Sequence, residues 1–106
     1  MKIGFILTKS PSEQGFKTFI DYSQLYINND QISIYLVGSG VYCSRKSYFN
    51  SDLDKLFENS NVYVSFNDLK TRGIEKDQIK DGLTLFSQYD DMINDIMENL
   101  NQVVSF

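Results

Sequence analysis

The segment NVYVSFNDLKTRGI, residues 61–74, is the most informative part of this 106-residue chain. The alternating run Val62-Tyr63-Val64 is typical of a strand. It passes without a spacer into a short mixed segment that ends at Arg72-Gly73, which predicts a short helix and its stop. In open α/β sheets, such a junction lies at the carboxyl edge of the sheet, where ligands bind. Ser65 occupies the junction, so the chemistry available there depends on its being a serine.

The rest of the chain repeats this alternation of strand and helix. Besides residues 62–64, the hydrophobic pattern predicts strands at residues 2–8, 31–37, 83–86 and 102–106, with helices between them. Strands that alternate with helices favour a mainly parallel sheet with helices on both faces. We therefore expect residues 1–106 to form one domain, a three-layer α/β/α sandwich around a five-stranded sheet.

Four helix starts are predicted from a serine that is followed three residues later by an acidic residue. The pairs are Ser10 and Glu13 (with Pro11 as the first helical residue), Ser51 and Asp54, Ser65 and Asp68, and Ser87 and Asp90. The last helix has an apolar stripe that is expected to face the sheet. The stripe consists of Met92, Ile93, Ile96, Met97 and Leu100.

Composition excludes several classes of function. A net charge of −4, with ten scattered basic residues, argues against nucleic acid as a partner. The absence of histidine removes Ser-His and Cys-His nucleophile pairs and histidine zinc sites. We expect no metal site and no cofactor.

A single cysteine fits a reducing compartment, and the apolar start MKIGFILT is too short for a signal peptide or a membrane span. These features predict a cytoplasmic protein without a membrane partner.

Four segments, taken in order, resemble the DsrE/DsrF/DsrH-like sulfur-relay family, which includes the Tus subunits of the tRNA-thiolation relay. They are MKIGFILTKSP, YLVGSGVY, VYVSFNDLKTRGI and SQYDDMINDIMENLNQVVSF. The third segment is similar to the DsrH/TusB branch, and the N-terminal half is more similar to DsrE. The resemblance implies a DsrEFH-like, flavodoxin-like topology. It also implies a small cytoplasmic sulfur carrier, or its partner subunit, that works in an oligomer.

In catalytic members of that family, a cysteine at the junction of the third strand and third helix accepts a persulfide sulfur. Alignment from Arg72-Gly73 places Ser65 at this position, so the chain departs from the catalytic pattern. A serine hydroxyl cannot form a persulfide, and no histidine is present to activate it. We interpret Ser65 first as a helix N-cap, supported by Asn67 and Asp68. The alternative is that it binds a small anion or a partner's persulfide.

Cys43 is the only thiol of the chain, and it lies in the loop predicted after the second strand. Loops that follow neighbouring strands share one edge of a sheet, so Cys43 could lie near Ser65, with Arg45 and Lys46 favouring its thiolate. One hypothesis is therefore that sulfur chemistry has moved to Cys43. The alternative is an ordinary buried cysteine that packs as a small hydrophobic residue.

Three functional hypotheses remain open. The preferred one is a sulfur-relay subunit without the family's active cysteine, which acts in oligomer assembly or sulfur hand-over with itself or with sister subunits. The second is a sulfurtransferase, a persulfide carrier that uses Cys43. The third is a small flavodoxin-like ligand-binding module, suggested by the segment TKSPSEQG. Flavin absorbance in the purified protein would favour the third hypothesis.

Overall fold

Strands and helices alternate along the chain as predicted. The computed structural model describes residues 1–28 and 30–106. The strands are β1 (Lys2–Leu7), β2 (Gln31–Leu36), β3 (Ser60–Ser65), β4 (Thr84–Phe86) and β5 (Gln102–Ser105). The helices are α1 (Gln14–Ser23), α2 (Ser51–Glu58), α3 (Phe66–Thr71) and α4 (Tyr89–Asn99), with 3-10 helices at Gly38–Ser44 and Lys76–Gln78.

The five strands form one sheet in which every neighbouring pair is parallel, in the order β4-β3-β2-β1-β5. The predicted α/β class and five-stranded sheet are therefore confirmed. The strand order differs from the flavodoxin order 2-1-3-4-5. Here each connection from β1 to β4 moves to the next strand in the same direction, and only the last connection crosses back to the far edge.

The main hydrophobic core lies on one face of the sheet. Alternate residues of the strands, such as Phe5 and Val64, are fully buried there together with Phe19 of α1, Leu56 of α2 and Leu69 of α3. Connections between parallel strands are as a rule right-handed, and three such connections in one direction place their helices on the same face, in agreement with this arrangement. The rings of Phe5 and Phe19 pack edge to face, with centroids 5.9 Å apart.

Helix α4 covers the opposite face of the sheet. Gly4 alternates with the core residues of β1, and a side chain added at Gly4 would collide with Leu100 at the end of α4. No residue of α4 is fully buried. The predicted inward stripe is therefore only partly correct: Met92, Ile96 and Leu100 are half-buried, whereas Ile93 and Met97 are 46% and 77% exposed. A single helix over a sheet face has no further layer to bury its outer apolar side chains.

Three of the four predicted helix caps were wrong in detail. Helix α1 begins at Gln14, after Pro11, and Glu13 at its N-cap makes no side-chain capping bond. The cap of α2 is Asn50, whose Oδ1 accepts from the backbone N–H groups of Asp52 and Leu53. Helix α4 begins after Gln88, also without a side-chain cap. Asparagine is as good a cap as serine, so the motif alone could not choose between neighbouring residues.

No helix within residues 1–28 and 30–106 combines the length and the apolar character needed to cross a membrane.

Candidate functional site

Ser65 ends β3 and caps α3, as the junction motif predicts. Its backbone is extended (φ −68°, ψ 114°), and its Oγ accepts a hydrogen bond from the Asp68 N–H at 3.3 Å. The residue is 3% exposed. Its hydroxyl therefore satisfies one of the backbone donors at the start of α3, which would otherwise be unpaired in a buried place.

Asp68 joins three parts of the chain at this junction. Its Oδ2 accepts from the Gly38 N–H at 3.0 Å and from the Tyr89 hydroxyl through a short hydrogen bond. The Arg72 Nη1 lies 3.6 Å from its Oδ1 and also donates to its backbone carbonyl. The carboxylate thus links the segment after β2, helix α3 and the start of α4.

The hydrogen bonds of Asp68 fix its protonation state. Burial alone would raise the pKa of its carboxyl, but the hydrogen bonds from Tyr89 and Gly38, with the nearby Arg72 charge, leave the pKa below its usual 3.8. The same bond to Asp68, together with burial, raises the pKa of Tyr89 above its usual 10.0. At neutral pH the pair is therefore a carboxylate that accepts from a neutral phenol.

This junction lies at the crevice in which α/β sheets usually bind ligands. The connection after β3 leaves toward the core face, where Leu69 of α3 is buried, whereas the connection after β4 leads to α4 on the other face. Such a divergence is a topological switch point. Here the crevice is bridged by the Tyr89–Asp68 bond and by a bond from Asn67 Nδ2 to the Ser87 carbonyl at 3.0 Å. These two hydrogen bonds link α3 to the segment that begins α4 across the crevice.

Cys43 lies in the 3-10 helix Gly38–Ser44, a segment that packs against α3. The side chain is completely buried within the main core, and its Sγ donates to the Lys9 carbonyl at 3.8 Å. Burial raises the pKa of this thiol to about 12, although the charges of Lys80 and Arg45 act in the opposite direction. This environment favours the neutral thiol and gives no support to a reactive thiolate.

Arg45 does not reach the Ser65 junction through a contact of its own. Its Nε donates to the Tyr42 carbonyl at 2.8 Å, and its guanidinium lies 5.0 Å from the centre of the Tyr42 ring. The Arg72 guanidinium lies 6.0 Å from the same ring centre. Tyr42 thus connects Arg45 to the cluster around Asp68 through Arg72.

Of the residues selected from the sequence, the structure brings Ser65, Asn67 and Asp68 together, and it places Cys43 and Arg45 in the neighbouring segment. Sequence reasoning missed Gly38 and Tyr89 as partners of Asp68. They lie 30 and 21 residues from it, and no local motif joins such positions. In residues 1–28 and 30–106, no group of three or more Cys, Asp or Glu side chains is arranged to hold a metal ion.

The sequence matches a known family. A family model described as "DsrH like protein" matches residues 9–102. A search of curated proteins found no match.

Solved structures share the fold over nearly the whole chain. A protein of unknown function from Methanobacterium thermoautotrophicum, MTH1491, is 15% identical with a TM-score of 0.81, and the match covers 99% of this chain and 98% of that one. BT1422 from Bacteroides thetaiotaomicron, a conserved protein of unknown function, is 12% identical with a TM-score of 0.72, covering 99% and 94%. The ychN protein from E. coli is 14% identical with a TM-score of 0.64, covering 100% and 99%. At these identities the likeness establishes the fold.

Proposed function

We propose that this chain, a member of the DsrH-like family, is a subunit without catalytic chemistry of its own. The family assignment rests on the match of the family model over residues 9–102, and it indicates a role in sulfur relay. In this proposal, the protein works in the cytoplasm beside a chain that carries the active cysteine. Its contribution is to the assembly of the relay complex or to sulfur hand-over between other subunits.

The observation that carries this proposal is the closed state of the Ser65 junction. The hydroxyl of Ser65 is buried and engaged as a helix cap, and the adjacent carboxylate is engaged by Gly38, Tyr89 and Arg72. No histidine is present in the chain to act as a base. These groups can stabilise the junction, but they provide no nucleophile that could hold a sulfur atom.

The outer face of α4 supports a role in assembly. Tyr89, Ile93 and Met97 are spaced four residues apart, so they form one stripe along the helix. Their exposed fractions are 46%, 46% and 77%, and apolar side chains that are exposed next to one another are typical of an interaction surface. We assign this stripe, Tyr89-Ile93-Met97, as the surface that meets a second chain of the same family, with a second copy of this protein as the occupant to be tested.

Loading with sulfur tests the absence of a carrier role. The purified protein is incubated with a cysteine desulfurase and cysteine, and protein-bound sulfur is measured by cyanolysis. A sister subunit that has a cysteine at the position of Ser65 serves as the positive control. We expect the wild type and Cys43→Ser to carry equally little sulfur. Sulfur that is bound by the wild type and lost in Cys43→Ser would overturn the proposal in favour of a persulfide carrier.

A further inference from the structure

A cleft beside the Ser65 junction concentrates positive charge in an otherwise acidic protein. It has a volume of about 410 Å³ and lies between the segment after the first 3-10 helix and the turn that ends α3. Three of its lining residues are Arg45, Lys46 and Arg72, and none of the described lining residues is acidic. The chain as a whole has a net charge of −4, so this local excess of cations is not a consequence of composition.

The positive charge of this cleft is only partly compensated. Arg72 has Asp68 as a partner at 3.6 Å. Neither Arg45 nor Lys46 pairs with an acidic side chain within the residues that the structure describes. The two guanidinium groups flank one Tyr42 ring, which holds like charges near each other. An anion in the cleft would relieve this repulsion.

The Arg45 side chain is pre-oriented for such a ligand. The bond from its Nε to the Tyr42 carbonyl and the stacking on the Tyr42 ring fix the plane of the guanidinium. This bond uses one of the N–H donors of the guanidinium and leaves the terminal nitrogens, which bind two oxygens of one anion side by side. Gly73, with φ at +69°, turns the chain at the opposite wall without adding a side chain.

A second cleft, which Tyr42 also lines, fits an anion less well. Its volume is about 540 Å³, and Arg45 also contributes to its wall. The carboxylate of Glu13 lines it too and would repel a negative ligand. The first cleft, which has no acidic residue in its described lining, is therefore the better site for an anion.

From these observations we propose that the Arg45-Lys46-Arg72 cleft binds an anion with at least two oxygens, either a small oxoanion or a carboxylate presented by a protein partner. The site is separate from the buried Ser65 hydroxyl and does not depend on the sulfur-relay assignment. The nearby Asp68 neutralises much of the Arg72 charge, so Arg45 and Lys46 provide most of the attraction.

The test is an NMR titration of the ¹⁵N-labelled protein with sodium phosphate, and separately with sodium acetate, at an ionic strength held constant with sodium chloride. We expect saturable shifts of the Arg45 Nε–H signal and of the Lys46 and Gly73 amides. Tighter binding of phosphate indicates a free oxoanion, and equal or tighter binding of acetate indicates the carboxylate of a partner. Either result supports an anion site.

Variants that each remove one positive charge distinguish binding in this cleft from nonspecific attraction of anions to the protein. Arg45→Gln should weaken binding about tenfold or more, the loss expected for one charge-assisted hydrogen bond. Lys55→Gln removes the same charge from the exposed surface of α2 and should leave binding unchanged. Lys46→Gln provides a second variant should Arg45→Gln fold poorly. Equal weakening by Lys55→Gln and the cleft variants, or no saturable shift in the cleft of the wild type, would overturn the proposal.

Discussion

The hydroxyl group of Ser65 decides what the junction of β3 and α3 can do. A thiol at a helix N-terminus gains reactivity because the helix dipole favours its thiolate. A hydroxyl at the same place stays neutral and accepts a hydrogen bond from the helix instead, as Ser65 does from Asp68. This hydrogen bond stabilises the folded protein, so substitutions that remove the Ser65 hydroxyl should lower the free energy of unfolding.

Ser65→Ala should lower the free energy of unfolding by about 1 kcal/mol, the usual contribution of a serine N-cap. The measurement is urea denaturation followed by circular dichroism. Ser87→Ala is the matched control because Ser87 lies just before α4 without capping it, and its contact with Asn67 uses the backbone carbonyl. Equal losses in the two variants would contradict the assignment of Ser65 as the cap.

The free energy of unfolding should depend on pH through the carboxyl group of Asp68. Its pKa in the folded protein is below the usual 3.8, so its contribution is fully present above about pH 4 and is lost as the pH falls through the folded value. Asp68→Asn should cost about 1–3 kcal/mol at neutral pH because charge-assisted hydrogen bonds are lost. The difference in free energy of unfolding between the wild type and Asp68→Asn should become smaller below pH 4.

Urea denaturation of both proteins between pH 3 and 7 measures this difference. Asp21→Asn is the control, because Asp21 forms an exposed ion pair with Lys17 on α1, and such pairs contribute little. A difference between wild type and Asp68→Asn that stays constant over the whole range would show that the charge of Asp68 does not stabilise the junction.

At the scale of elements, α4 differs from the other helices. Helices α1, α2 and α3 each contribute fully buried residues, whereas α4 contributes none. At the N-terminal end of α4, the Tyr89 hydroxyl donates a hydrogen bond to Asp68, and the Tyr89 ring packs against Phe86 of β4. The helix is thus attached at its start through Tyr89, whereas Ile93 and Met97 further along it are exposed to solvent.

Met97→Asp should therefore weaken the proposed association through the Tyr89-Ile93-Met97 stripe while leaving the monomer folded. Met97 is 77% exposed, and surface substitutions of this kind usually change stability by less than about 0.5 kcal/mol. A charge buried in an apolar interface carries a large desolvation penalty, so association should fall. Sedimentation velocity over a range of concentrations measures this change.

Asn94→Asp is the matched control for this experiment. It adds the same charge to an exposed position of α4 outside the stripe. We expect it to associate like the wild type. A wild type that stays monomeric alone and with sister subunits, or equal weakening by both variants, would contradict the role of the Tyr89-Ile93-Met97 stripe.

The elements show which features the sequence could specify. The junction at Ser65 was predictable because strand, cap and helix stop are adjacent in the chain. The outward position of Ile93 and Met97 was not, because periodicity identifies an apolar face without saying whether another layer covers it. The Asp68–Tyr89 contact and the raised pKa of Cys43 depend on distant parts of the chain that only folding brings together.

Cys43 lies in the core shared by the sheet and the helices of one face. Its side chain is 0% exposed, and it belongs to the same buried cluster as residues of β1 and α3. A reagent can reach the thiol only when this core opens. The reactivity of Cys43 therefore reports on the opening of the molecule, and it also separates the two sulfur-relay hypotheses.

Alkylation by iodoacetamide at pH 7 should accordingly be slow in the native protein and fast in 8 M urea. A rise of the pKa from 9.0 to about 12 lowers the thiolate fraction about a thousandfold, and burial slows the reaction further. The rate is followed by mass spectrometry, with a short unfolded peptide that contains one cysteine as the reference thiol. Because the core must open first, a variant that is destabilised elsewhere, such as Ser65→Ala, should react faster than the wild type, by about fivefold for a loss of about 1 kcal/mol, as long as the core recloses faster than the open form is alkylated. Native alkylation as fast as that of the reference peptide would mean that Cys43 is accessible and ionised, and the persulfide-carrier hypothesis would then replace the subunit proposed here.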